Sequence, residues 1–230
     1  MGGIENYLVR LPDYLPSDIQ LYYSLVYERG ILADKAEHKG VQILPVPSQP
    51  PKWMPEIIYF SLNLSKFLPQ INPHIIHSHL EQGNSISIIA NFVARCKAFT
   101  IAHLHSPRSN YCVRGSLQWQ IEKIFLPRYD LILNCSDFVR CVNMDFYHLP
   151  PEKTRVLYCG IHLEPFQELP EKESSRAQLG LEKDVPVLVF VGRLSLQHKG
   201  LDILLQAAAK LVEGGEEFVL LLVGPGEEAR

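Results

Sequence analysis

Nothing in this chain of 230 residues approaches the roughly 20 consecutive apolar residues that span a bilayer. The N-terminus also lacks the basic and apolar regions of a secretory leader, so the expected location is the cytoplasm, at most peripheral at the inner face of the cell membrane. Cysteine is scarce and odd in number: Cys96, Cys112, Cys135, Cys141 and Cys159 stand apart with no CxxC pair. That argues against a disulfide framework and against a structural zinc site. An excess of charge of one sign is missing too. A formal charge of -3 gives no electrostatic case for nucleic acid or an anionic membrane as the main partner. Internal repeats and low-complexity tracts are likewise absent.

What is there is clearest from Val187 to Gly226. Val187 to Val191 is an apolar, β-branched run closed by Gly192, the pattern of a strand buried on both faces of a parallel sheet. The period then changes. Leu201, Leu204, Leu205, Ala208, Leu211 and Val212 fall on one helical face, opposite Asp202, Gln206 and Lys210, and Gly214-Gly215 ends the helix. Phe218 to Val223 repeats the strand signal, giving a right-handed βαβ unit. Its loop leaves the carboxyl end of the first strand, where open parallel sheets bind ligands, and carries Arg193 and Lys199 beside a helix start. Two cations and a helix N-terminus suit a diphosphate, although solvated loop charges are the ordinary role of such residues.

The wording FVGRLSLQHKGLDILLQAAAKL, preceded by VLYCGIHLEPF and followed by VLLLVGPG, resembles the family 4 glycosyltransferases, retaining enzymes of the GT-B fold. The resemblance covers nearly the whole chain. It implies that Arg193 and Lys199 hold the diphosphate of a nucleotide-sugar donor and stabilise it as it leaves. The spacing between them is one residue longer than the commonest form, with His198 as the extra residue. Where the family usually has Asn-Gly-Val-Asp, this chain has Cys159 to His162, while Gly160, Glu164 and Phe166 keep the outline.

The chain opens on a glycine pair followed at once by a helix start. A doubly wound domain normally begins with a strand, then a glycine turn, then a helix. By resemblance the Gly2-Gly3 loop follows such a first strand and approaches donor and acceptor, so the expectation is that the first strand is missing. Glu5 reads as a helix cap. Strands are expected over Ile19 to Tyr27 and Val41 to Val46 with a short helix at Ile31 to Lys39 between them, and a helix over Glu56 to Gln70, closed by Pro69 and Pro73. Short buried strands follow at His74 to His79, Thr100 to His105, Asp130 to Cys135 and Arg155 to Tyr158. Helices separate them around Ser85 to Cys96, Ser116 to Phe125 and Asp137 to Tyr147, the alternation of a Rossmann-like sheet.

Two His-x-His pairs, His77/His79 and His103/His105, lie at predicted strand ends, and period two puts both members of a pair on one side. A metal hydrolase would use such pairs, but no carboxylate accompanies them at ligand spacing, and a histidine at a strand end is usually just hydrogen-bonded. No metal is expected. The resemblance assigns His105 to the acceptor and the transferring sugar, with His103 as its neighbour. Gly224-Pro-Gly-Glu-Glu-Ala229 matches GxGxx(G/A) only formally, since Pro225 and two carboxylates make a poor phosphate cradle. A P-loop fails because Gly200 follows Lys199.

The combined expectation is an α/β fold of GT-B type. Residues 1–165 form a Rossmann-like acceptor domain, 166–184 a linker, and 185–230 a partial Rossmann-like donor domain. The implied activity is retaining transfer from a nucleotide-sugar to a saccharide or lipid-linked acceptor in cell-surface polysaccharide synthesis. The nucleotide-diphosphate sugar is the co-substrate and no cofactor is required. The expected site is His105, Arg193 and Lys199, with Gly2, Gly3 and Gly192 along the donor. Alternatives are a remnant that binds a partner without catalysis and a histidine-ligated metal hydrolase.

Overall fold

The computed structural model describes residues 3–226 apart from 27, 109–113 and 116, and omits the side chains of 117, 118, 197 and 198. Gly2, Cys112, Ala229 and the His198 side chain therefore lie outside the described residues. The chain divides into two units, residues 1–161 and 162–230.

In the first unit, α1 (Gly3–Arg10) leads into α2 (Ile31–Glu37) and α3 (Glu56–Ile71). β1 (Tyr22–Tyr23) and β2 (Gln42–Ile43) form a separate parallel pair. Both are far shorter than the apolar runs that predicted them; in the second run Pro45 removes a ladder donor, and Pro47 follows directly after that run. The main sheet is all parallel in the order β3 (Ile75–His79), β4 (Phe99–Leu104), β5 (Leu131–Asn134) and β6 (Thr154–Val156). Its connections are α4 (Leu80–Ala94), α5 (Leu117–Phe125) and α6 (Asp137–Tyr147).

Two helix boundaries differ from expectation. Pro69 lies inside the last turn of α3, which runs on to Ile71 before Asn72 caps it at φ 47°. A proline in the last turn forfeits one bond to the carbonyl four residues before it without ending the helix, and a left-handed residue is the stronger stop. Helix α4 starts at Leu80, well before Ser85, because Leu80 itself turns the chain at φ 62° directly after β3.

Period two sorts the sheet. Ala102, Leu104 and Ile132 face one side, where Ile88, Phe146, Tyr147 and Tyr129 complete the buried core. Ser78 pairs in register with Ala102, and its hydroxyl donates to Asn84 Oδ1 at 2.8 Å. The Tyr129 hydroxyl donates to the Asn84 carbonyl at 2.6 Å and sits 2.6 Å from Ser87 Oγ. This buried network ties α4 to the sheet, with Asn84 Nδ2 left without a partner among the described residues. His77, His79 and His103 take the opposite face.

The second unit comprises α7 (Lys172–Gln178), β7 (Val187–Val191), α8 (Leu196–Lys199), α9 (Leu201–Glu213) and β8 (Val219–Val223), with β7 and β8 parallel. Its strands are not buried on both faces as their composition predicts. Val189 is 58% and Val191 75% exposed. An unbroken apolar run states what a strand can bury, whereas two paired strands and their helix supply too few neighbours to bury it. The apolar stripe of α9 is likewise mostly exposed, with only Leu201 fully covered.

Candidate functional site

Four imidazoles meet at the carboxyl ends of β3 and β4. His79 stands opposite His103 in the parallel register, so the i, i+2 spacing of His77/His79 and His103/His105 stacks the rings on one face. Ring centroids lie 4.3 Å apart for His77 and His79, 4.1 Å for His103 and His105, and 5.2 Å for His79 and His103. His79 Nδ1 and His105 Nε2 are 3.0 Å apart and share a hydrogen bond. His105 itself lies one residue past the end of β4. Tyr7 of α1 covers the cluster, 5.9 Å from His79 and 6.2 Å from His103 between centroids.

This environment keeps the rings neutral. Burial, reinforced by repulsion between neighbouring imidazoles, holds His77 down at about 4, His79 at about 2 and His103 at about 3. Burial also lowers His105. His103 is fully buried, yet neither of its ring nitrogens has a partner, and His77 Nε2 is also unsatisfied. An unmet buried polar group costs about 1–3 kcal/mol, so the arrangement is costly for a purely structural cluster. Leu80, directly after His79, adds backbone strain of about 1–3 kcal/mol at its left-handed φ.

The segment after β4 is held from behind. The Arg108 guanidinium makes a bidentate pair with Glu122 of α5, at 3.2 and 2.9 Å, and reaches Glu81 of α4 at 2.8 Å. Tyr147 donates to the same Glu122 carboxylate. Asn143 of α6 accepts from the Arg108 backbone N–H at 2.9 Å and donates to the Ser106 carbonyl at 3.2 Å. His105 is thereby carried on a short segment fixed to three helices.

In the second unit, the loop after β7 is clamped to the chain after β8. The Gly192 N–H donates to the Val223 carbonyl at 2.9 Å and Leu194 N–H to Pro225 at 2.8 Å. Gly224 has φ 150°, and a Cβ there would come within 1.7 Å of the Gly192 carbonyl oxygen, so this approach requires glycine. Arg193 and Lys199 are exposed and make no ion pair or side-chain hydrogen bond among the described residues. Lys199 ends α8, and Gly200, at φ 63°, starts α9.

A family model described as Glycosyltransferase Family 4 matches residues 1–165. The chain belongs to that family. A second model, Glycosyl transferases group 1, matches residues 171–230. D-inositol 3-phosphate glycosyltransferase of Thermobispora bispora is 41% identical over 69 residues, covering 30% of this chain and 16% of the relative. The protein of the same name from Thermobifida fusca is 31% identical over 121 residues, covering 53% and 26%. The matched segments of this family 4 chain thus span about a quarter or less of the length of those relatives. Among solved structures, Anabaena HepE with UDP and glucose superposes with a TM-score of 0.73 at 20% identity, covering 98% of this chain and 58% of that one. A glycosyltransferase of Rickettsia africae gives 0.71 at 19%, covering 97% and 57%. The shared fold is GT-B.

Within this family 4 chain, His105 lies in the first unit's imidazole cluster. Gly192 and Arg193 follow β7 and Lys199 ends α8, all within the connection from β7 to α9 of the second unit, and Gly3 begins α1. Tyr7, the strained Leu80 and the Arg108–Glu122 pair escaped the sequence reading. Tyr7 lies on a helix remote in sequence from the histidines it covers. Arg108 and Glu122 are 14 residues apart, a spacing with no helical or strand signature.

Proposed function

We propose that this chain supplies donor- and acceptor-handling elements for transfer of a sugar from a nucleotide-sugar to a hydroxyl acceptor, with retention at the anomeric carbon. The observation that carries the reading is the loop from Gly192 to Gly200, which sets two uncommitted cations, Arg193 and Lys199, at the carboxyl edge of a parallel strand pair. Structures of the same fold contain UDP, UDP with glucose, and UDP-glucose, which supports a uridine diphosphate sugar as donor.

Transfer of this kind places its largest electrostatic demand on the departing diphosphate. A guanidinium at Arg193 offers paired donors to phosphate oxygens, and Lys199 adds a mobile point charge. On the acceptor side, His105 stays neutral and retains one lone pair and one N–H to share between His79 and a hydroxyl. The transfer requires no metal. The acceptor is a saccharide or a lipid-linked saccharide, and the setting is cell-surface polysaccharide synthesis on the cytoplasmic side, peripheral to the membrane. No helix among the described residues is long and apolar enough to cross a membrane.

Calorimetric titration with UDP and GDP tests the donor half. The unsubstituted chain should bind UDP, and Arg193→Ala should weaken binding about 10- to 100-fold, the value of a lost charge-assisted contact. Equal binding by both, or none by a folded chain, would sink the reading and leave a partner-binding remnant of glycosyltransferase descent.

A further inference from the structure

We propose that His77, His79 and His103 form a binding site for one divalent transition-metal ion of the zinc class, with His105 as the orienting partner of His79 and a fourth coordination position open. One ring nitrogen from each of the three histidines lies within 4.8 Å of the others. Tetrahedral zinc with Zn–N bonds of about 2.0–2.1 Å places its ligand nitrogens about 3.4 Å apart, so ring rotations close the remaining gap without moving the strands.

Two geometric observations point the same way. The first is the orphaned nitrogens: His77 Nε2 and both ring nitrogens of His103 are buried without partners, and an ion takes up two of these three. The second is the His79–His105 hydrogen bond of 3.0 Å. With Nδ1 of His79 donating to His105 Nε2, Nε2 of His79 is left for the ion, the arrangement by which outer partners fix a ligand's tautomer.

The donor set also selects the ion. Neutral imidazoles suit zinc, copper, nickel and iron(II), whereas magnesium and calcium need oxygen ligands. Three neutral ligands leave the ion's double positive charge uncompensated, so the open position favours hydroxide or an anionic oxygen such as phosphate. The two adjacent parallel strands hold all three ligands on rigid elements, which is the condition for a preorganised site.

The test uses the tag-free chain, stripped with chelator and titrated with Zn2+ against a chromophoric competitor, with Co2+ as a spectroscopic stand-in. The expected result is one equivalent bound, with the intense visible bands of a four-coordinate Co2+ site. His77→Gln and His103→Gln should abolish stoichiometric binding, and His105→Gln should weaken it about 10- to 100-fold. His38→Gln and His148→Gln should match the unsubstituted chain. If His103→Gln fails to fold, as judged by circular dichroism, the His77→Gln titration and the Co2+ spectrum of the unsubstituted chain decide. Absence of a bound equivalent, or binding indifferent to His77→Gln, overturns the proposal. No nucleotide enters the measurement, so its outcome is independent of the transfer reading.

Discussion

The two units use the same strand, loop, helix and strand grammar, yet they bury it differently. In residues 1–161 four parallel strands and their helices enclose Ile132, Ala102 and Tyr129 completely and seal even polar groups such as Asn143 and His103 from solvent. In residues 162–230, β7 and β8 have equally apolar sequences, but Val191 and Val223 stay 75% and 50% exposed. The candidate chemistry follows suit. The four clustered histidines of the first unit are held neutral by burial, so they suit lone-pair work, while the second unit's Arg193 and Lys199 are solvated cations suited to capturing a charged ligand. Burial tunes one site and exposure the other.

The sharpest way to stress this contrast is to break the buried ion pair. Arg108→Ala strips the buried Glu122 carboxylate of its guanidinium partner, and urea denaturation followed by tryptophan fluorescence should show a loss of about 3–5 kcal/mol. Both tryptophans, Trp53 and Trp119, lie in the first unit, so the signal reports that unit alone. The double variant Arg108→Met with Glu122→Leu should recover most of the loss. If it does not, the pair contributes more than the relief of an uncompensated charge.

Next comes the apolar comparison. Ile132→Ala should cost about 2–5 kcal/mol, and Val191→Ala, at an exposed position in the second unit, within about 0.5 kcal/mol. The Val191 variant can be read by circular dichroism. A large loss there would mean that β7 is covered in solution and would erase the contrast.

Alkaline pH separates the units by another route. All ten tyrosines precede residue 161, and burial, opposed in part by hydrogen bonds from Ser78 and Ser87, pushes Tyr129 up to about 12. The unfolded phenol ionises near pH 10, while the folded one holds its proton until about 12. First-unit stability should therefore fall between those values, by roughly 2 kcal/mol for this group. Tyr129→Phe should flatten that slope, although its baseline stability is lower. An unchanged slope would assign the alkaline loss to other groups.

A last comparison concerns backbone. Gly224→Ala should loosen the second unit by more than the roughly 1–3 kcal/mol of its φ alone, because its Cβ would also meet the Gly192 carbonyl; faster proteolysis between Gly192 and Gly226 is the readout. In the first unit, Gly40→Ala meets no atom within 4 Å and should bear the cost of its positive φ alone.

Much of this was legible residue by residue. The α6 boundaries, Asp137 to Tyr147, are the ones its apolar period predicts, and Ser136 caps the helix while His148 ends it at φ 56°. The His-x-His pairs had to share a face because strands alternate. The spacing could not show that the two pairs stand in adjacent register, nor that Tyr7 shields them, since both depend on contacts between remote segments. β7 shows the opposite error. Its composition predicted two covered faces, because apolar content reports capacity for burial and carries no record of which neighbours are present.

The sequence by itself determined the kind and order of the elements, the parallel βαβ alternation and the loop that carries Arg193 and Lys199. These follow from local periodicity and turn chemistry, which act over a few residues. Only the tertiary structure decided that four imidazoles converge with buried, unpartnered nitrogens, that Arg108 finds Glu122, and that β7 remains exposed. Strand register and layer packing set those outcomes, and both are determined by contacts between segments far apart in the chain.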